Sequence, residues 1–211
     1  LVDALNAAGE LARGVSVLSP DVTDEELRVL DHAGVKGVRF NFVKRLVDST
    51  PREVFIDLAN RVKALGWHIV VYFESPDLED LRPFLESLAS DQIVVVDHMC
   101  RPDVSLGGDS DEFRAFMRLL EQNSNIWTKV SCPERLTRQA PDYSDVIPFA
   151  RALVESFPDR VLWGTDWPHP NMKSHVPDDG ALVDVIPLIA VTEELQSKLL
   201  IDNPMRLYWE S

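Results

Sequence analysis

Six short apolar runs rich in Val, Ile, Phe and Trp recur along the chain, at residues 15–18, 37–42, 68–73, 93–97, 126–130 and 161–163. Most are nearly continuous rather than alternating, which suits strands buried on both faces, as in a parallel sheet. Between them the apolar positions fall at helical spacing. Thr23-Asp24-Glu25-Glu26 forms a capping box ahead of Leu27, Leu30 and Ala33. Thr50-Pro51-Arg52-Glu53 reads as a second, with proline at the first helical position. Its apolar face is Val54, Phe55, Leu58, Ala59, Val62 and Leu65, and Gly66 ends it. Further helices are predicted over 78–88, 112–122, 143–156, 181–189 and 193–201, with a last turn at 204–209.

Strict alternation of strand and helix predicts an α/β fold with a parallel sheet and crossover helices. Two architectures accommodate six strands: an open doubly wound sheet, or a (β/α)8 TIM barrel without two of its units. A doubly wound nucleotide binder needs a glycine-rich first turn, and neither GxGxxG nor GxxxxGK[ST] occurs. The site-like residues instead follow several different strands, as they do in barrels. The barrel is therefore expected. Residues 1–9 read as the latter part of a helix closed by Gly9, so the first two βα units are expected to lie upstream of Leu1. No Gly/Ser linker interrupts the chain, and residues 1–211 are read as a single domain.

Composition narrows the function. The 211 residues are 45% hydrophobic and 27% charged, the profile of a globular chain. A net charge of −14 argues against nucleic acid as a partner. Cys100 and Cys132 form neither a disulfide framework nor a zinc motif, so reduced thiols and a cytoplasmic location are expected. No apolar stretch has membrane-spanning length, and no signal-like start is present, so no membrane partner is expected.

Chemistry gathers where the predicted strands end. Asp166 stands in a glycine-containing turn between Trp163 and Trp167. A carboxylate there suits a general base or a metal ligand, or it caps the turn or pairs with an arginine. His98 ends an apolar run, as a catalytic imidazole or a hydrogen-bonded core residue; Asp97 is its neighbour, facing the other way. Arg39, Arg45, Arg101 and Arg135 all lie within a few residues of strand ends. Each alone reads as a surface ion pair. Four on one rim of an acidic protein point to an anionic ligand, because guanidinium captures carboxylates bidentately. Tyr72 would hydrogen-bond that ligand or pack. Cys132 has no partner base nearby in sequence. His68 opens its strand, away from the rim, His32 and His175 fall on a helix and a loop, and His169 is a weaker candidate for substrate contact.

Gly164-Thr165-Asp166-Trp167-Pro168-His169-Pro170 and Asn203-Pro204-Met205-Arg206-Leu207-Tyr208 resemble the amidohydrolase superfamily. Three longer strings are more specific: Val38-Arg39-Phe40-Asn41-Phe42-Val43-Lys44-Arg45-Leu46, Asp97-His98-Met99-Cys100-Arg101-Pro102-Asp103 and Cys132-Pro133-Glu134-Arg135-Leu136. They resemble the 2-pyrone-4,6-dicarboxylate lactonases of that superfamily. The resemblance implies a (β/α)8 barrel that opens a cyclic ester, 2-pyrone-4,6-dicarboxylate, to 4-oxalomesaconate in the breakdown of lignin-derived aromatics. It implies Asp166 as general base and His98 as polariser of the lactone carbonyl. Arg39, Arg45, Arg101 and Arg135, with Tyr72, would hold the substrate's carboxylates and ester.

It implies neither metal nor cofactor. Tyr72-Phe73-Glu74 stands where many superfamily members carry a ligand histidine, and Asp166 with His98 are too few for a closed site. The superfamily's His-x-His motif is absent and is expected upstream of Leu1. The rivals are a metal-dependent lactonase acting on a muconolactone or sugar lactone, a decarboxylase, and a non-catalytic carboxylate-binding barrel.

Overall fold

The computed structural model describes residues 1–43, 51–170, 172 and 175–210. Its centre is a six-stranded sheet of β1 (Gly14–Ser16), β2 (Val35–Asn41), β3 (His68–Tyr72), β4 (Val94–Val96), β5 (Ile126–Ser131) and β6 (Val161–Gly164). The spatial order is β1-β2-β3-β4-β5-β6, and every neighbouring pair is parallel. The sheet curves as the wall of a (β/α)8 barrel with six of its strands present among the described residues. Each predicted strand is found, with its bounds moved by at most two residues.

The helices are α1 (Val2–Ala8), α2 (Asp24–His32), α3 (Arg52–Lys63), α4 (Leu78–Ala89), α5 (Asp111–Gln122), α6 (Pro133–Leu136), α7 (Ile147–Ser156), α8 (Asp179–Asp184), α9 (Ile186–Ile189), α10 (Glu193–Ser197) and α11 (Asn203–Tyr208). Gly9 closes α1 at φ +59°, a conformation glycine adopts without a Cβ penalty. The Thr23 box forms in full: its hydroxyl accepts from the Glu26 amide, and the Glu26 carboxylate accepts from the Thr23 amide.

Four helical expectations are corrected. Pro51 sits at the N-cap of α3 with no side-chain cap, and Thr50 lies outside the described residues. The helix expected over 143–156 starts at Ile147, because Tyr143 takes a left-handed φ of +46°. The helix expected over 181–189 is broken in two at Pro187, and the one over 193–201 widens into a π turn at Lys198–Asp202 before Pro204. Both prolines lack the amide that would continue the ladder.

The two faces of the sheet bury different residues, as the two-residue strand period demands. Ile69, Val71, Val94, Val96, Ile126 and Val130 pack outward under the helices. Val70, Val95, Trp127 and Leu162 line the concave side, where Leu207 of α11 meets them. Asn203 ties α11 down by donating to the carbonyls of Pro158 and Val161 at the entrance of β6. The aromatic edge of His68, first residue of β3, meets Tyr208 at 4.9 Å. Helix α11 therefore closes the hollow at the strands' N-terminal ends and leaves the C-terminal ends open. No helix among the described residues is long and apolar enough to cross a membrane.

Candidate active site

The open end collects residues from β2 to β6. After β4 the backbone runs through four successive left-handed residues, His98, Met99, Cys100 and Arg101, with φ of 53°, 57°, 61° and 50°. Such residues cost about 1–2 kcal/mol each, and strain of this kind gathers at functional sites. The turn buries His98 and directs Arg101 to the rim. Cys132, Asp166 and His169 carry positive φ at the ends of β5 and β6 as well.

His98 is 8% exposed. Its Nδ1 pairs with Ser131 Oγ at 2.8 Å, and its Nε2 lies 3.6 Å from Cys132 Sγ. Burial lowers its pKa to about 4, against the opposing pull of Asp97 and Asp166, so the ring is neutral at pH 7. A neutral imidazole keeps one N–H to donate, as a carbonyl polariser requires.

Asp166 accepts two hydrogen bonds from Arg135, from Nε at 3.0 Å and Nη2 at 2.7 Å. Both reach Oδ2, so Arg135 leaves Oδ1 to other partners. The same Nη2 also donates to the Pro170 carbonyl, which pins the loop after β6. Functional atoms of Asp166, His98 and Cys132 lie within 4.8 Å of one another.

Tyr72 is a hub. Its ring meets the His98 edge at 5.2 Å, the Arg39 guanidinium stacks 4.6 Å above it, and its hydroxyl accepts from Arg101 at 2.8 Å. Arg101 also pairs with Glu74 at 3.4 Å. Of the sequence candidates, Asp166, His98, Arg39, Tyr72, Arg101 and Arg135 thus come together. Arg45 lies outside the described residues. Arg135 and Arg101 do not stand as isolated cations: each is bonded within the site.

Four further residues belong here that the strand-end reading passed over. Asp97, placed there on the far side from His98, instead faces the hollow, accepting from Arg39 Nε at 2.7 Å and Lys129 Nζ at 2.8 Å. Lys129 and Ser131 follow Trp127 at two-residue steps on β5, and a lysine inside an apolar strand was the available signal. Glu134 is fully buried, with His169 Nδ1 at 3.5 Å; His169 Nε2 contacts Asp179 at 3.2 Å. Burial raises the Glu134 pKa.

A divalent ion, as many amidohydrolases carry, would have His98, Cys132 and Asp166 as one donor set among the described residues. In that set Asp166 would offer only Oδ1, since Oδ2 carries both Arg135 bonds, and the buried Cys132 thiol would have to lose its proton to the ion; Glu134, Asp166 and His169 form a second set that shares the same Asp166.

Known proteins resemble the chain along nearly its whole length. The amidohydrolase family matches residues 1–209. A 2-pyrone-4,6-dicarboxylate hydrolase of Comamonas testosteroni is 57% identical over 99% of this chain and 70% of its own length. A 4-sulfomuconolactone hydrolase of Hydrogenophaga intermedia is 32% identical over 98% of this chain and 68% of its own. A solved structure from Acinetobacter baumannii, a probable 2-pyrone-4,6-dicarboxylic acid hydrolase with citric acid bound, superposes with a TM-score of 0.78. It is 27% identical, covering 97% of this chain and 77% of that one. The chain belongs to the amidohydrolase family, among its 2-pyrone-4,6-dicarboxylate hydrolase-like members.

Proposed function

We propose that the chain hydrolyses 2-pyrone-4,6-dicarboxylate, or a close anionic lactone, to the open-chain 4-oxalomesaconate in aromatic catabolism. The observation that carries the reading is the Asp166–Arg135 pair, whose carboxylate is held through one oxygen within 4.8 Å of neutral His98. Asp166 Oδ1 takes a proton from water, and the water oxygen attacks the lactone carbonyl. The His98 N–H polarises that carbonyl and stabilises the oxyanion as the tetrahedral intermediate forms. Collapse breaks the ring C–O bond, and the leaving oxygen takes back the proton held by Asp166. Arg39, Arg45, Arg101 and Tyr72 hold the carboxylates and ester, while Arg135 also orients the base. No step passes through a metal or cofactor. Two buried, free thiols support a reducing, cytoplasmic setting.

Asp166→Asn is nearly isosteric and keeps the Arg135 contact in part. It should retain the fold and lose turnover of the dicarboxylate pyrone by about 10²–10⁴-fold. Near wild-type turnover would remove Asp166 from the mechanism. The 32% identity to a sulfomuconolactone hydrolase favours one second reading, a sulfonated lactone as substrate. Assay of both lactones side by side decides between them by kcat/KM.

A further inference from the structure

We infer that Asp97 is a positioning residue that aims Arg39 and Lys129 into the hollow, making of them a two-cation cradle for one substrate carboxylate. This rests on the proposed lactone hydrolysis for the identity of the ligand, and the geometry supplies the rest.

The Asp97 side chain is 3% exposed, and a carboxylate so buried needs charged partners. It has two, one on each oxygen: Arg39 Nε on Oδ2 and Lys129 Nζ on Oδ1. One negative charge between two positive ones leaves the trio at +1. The cations keep 28% and 24% of their side-chain surface, so the excess charge faces the open hollow while the acid beneath does not.

Donor counting gives the direction. With Nε committed to Asp97, the Nη edge of Arg39 remains, the edge that binds a carboxylate end-on through two parallel bonds. The Tyr72 ring beneath fixes the plane of that fork. Lys129 has three N–H donors and spends one on Asp97.

Burial alone would push the Asp97 pKa up. Lys129, His98 and Arg39 outweigh it and hold the carboxyl well below its usual range. Asp97 also immediately precedes the left-handed turn that carries His98. A carboxylate seated on the cradle is therefore registered against the imidazole.

The test reads selectivity for two carboxylates over one. Isophthalate and benzoate, inert planar probes with two carboxylates and one, are titrated calorimetrically into wild type, Asp97→Asn and Lys129→Met. Hydrolysis of the pyrone is followed in parallel. Wild type should bind isophthalate at least tenfold more tightly than benzoate. In both variants that ratio should fall to within about threefold of unity, and KM for the pyrone should rise more than kcat falls. Thermal melts report folding, and Lys129→Met, altered at a partly exposed side chain, carries the test if Asp97→Asn does not fold. A ratio unchanged in folded variants overturns the cradle, even with hydrolysis intact. A ratio that collapses in variants of a protein with no pyrone hydrolysis upholds the cradle and overturns the proposed reaction.

Discussion

Gly37 illustrates how tightly single positions are specified on the concave side. A Cβ there would lie 2.7 Å from His68 Nε2 and 2.9 Å from its Cε1. The imidazole has little room to retreat, because it is buried against Tyr208. Gly37→Ala should therefore destabilise by about 1–3 kcal/mol, the usual cost of overpacking. Urea denaturation measures it, and an unchanged midpoint would mean that the ring moves freely. Asp97 and Lys129 show the limit of single-residue reading. Lys129 stands out as a lysine in an apolar strand, but only its contact with Asp97 across 32 residues of chain gives either residue a role. Asp166 was legible because its turn is distinctive, but its bond to Arg135 across 31 residues was not.

At the scale of the element, local signals translated well where they are self-contained. The Thr23 box needs only four consecutive residues and forms as read. Thr23→Ala should cost about 1 kcal/mol of stability, visible in the same denaturation experiment, with no effect on turnover because α2 carries no site residue. A loss near zero would mean that packing of Leu27 alone holds the helix. Signals spread over longer windows translated less well. The period over 181–189 continues through Pro187, but backbone hydrogen bonding does not, so one predicted helix became α8 and α9. The left-handed turn at His98–Arg101 carries no glycine to announce it. Its strain is held by tertiary contacts, including Ser131 on His98 and Tyr72 on Arg101.

Across the whole molecule, burial of two imidazoles couples stability to pH. Burial lowers His68 to about 3, helped by Lys129, and lowers His98 to about 4, while an unfolded chain protonates both near 6.5. Above pH 6.5 both states hold these rings neutral and the stability is fully present. As pH falls below 6.5 the unfolded chain takes up protons that the folded one refuses, so stability is lost down to the folded pKa values. Glu134, raised by burial, works the other way below its folded pKa, one group against two. The two imidazoles should lower the free energy of unfolding by about 4 kcal/mol between pH 6.5 and 4.5, at no more than about 1.36 kcal/mol per group and pH unit, and Glu134 returns part of it. Equilibrium denaturation at three or four pH values measures this. A flat profile would place both rings in contact with water.

The order of apolar runs and helical periods determined the fold class. Alternating strand and helix segments of this length have few ways to bury both faces of a parallel sheet, and burial on both faces is written in the near-continuous strands. The same linear text placed Asp166, His98 and the arginines after strands, and a barrel brings strand ends together whatever its loops do. Pairing was decided in three dimensions. Which acid meets which arginine depends on strand neighbours, register and the direction of side chains in a left-handed turn. Hence Arg135 lies on Asp166 and Arg39 on Asp97, the latter 58 residues away along the chain. Ion pairs between residues so far apart leave no periodic trace in a sequence, because only the folded sheet brings their charges within a few ångströms.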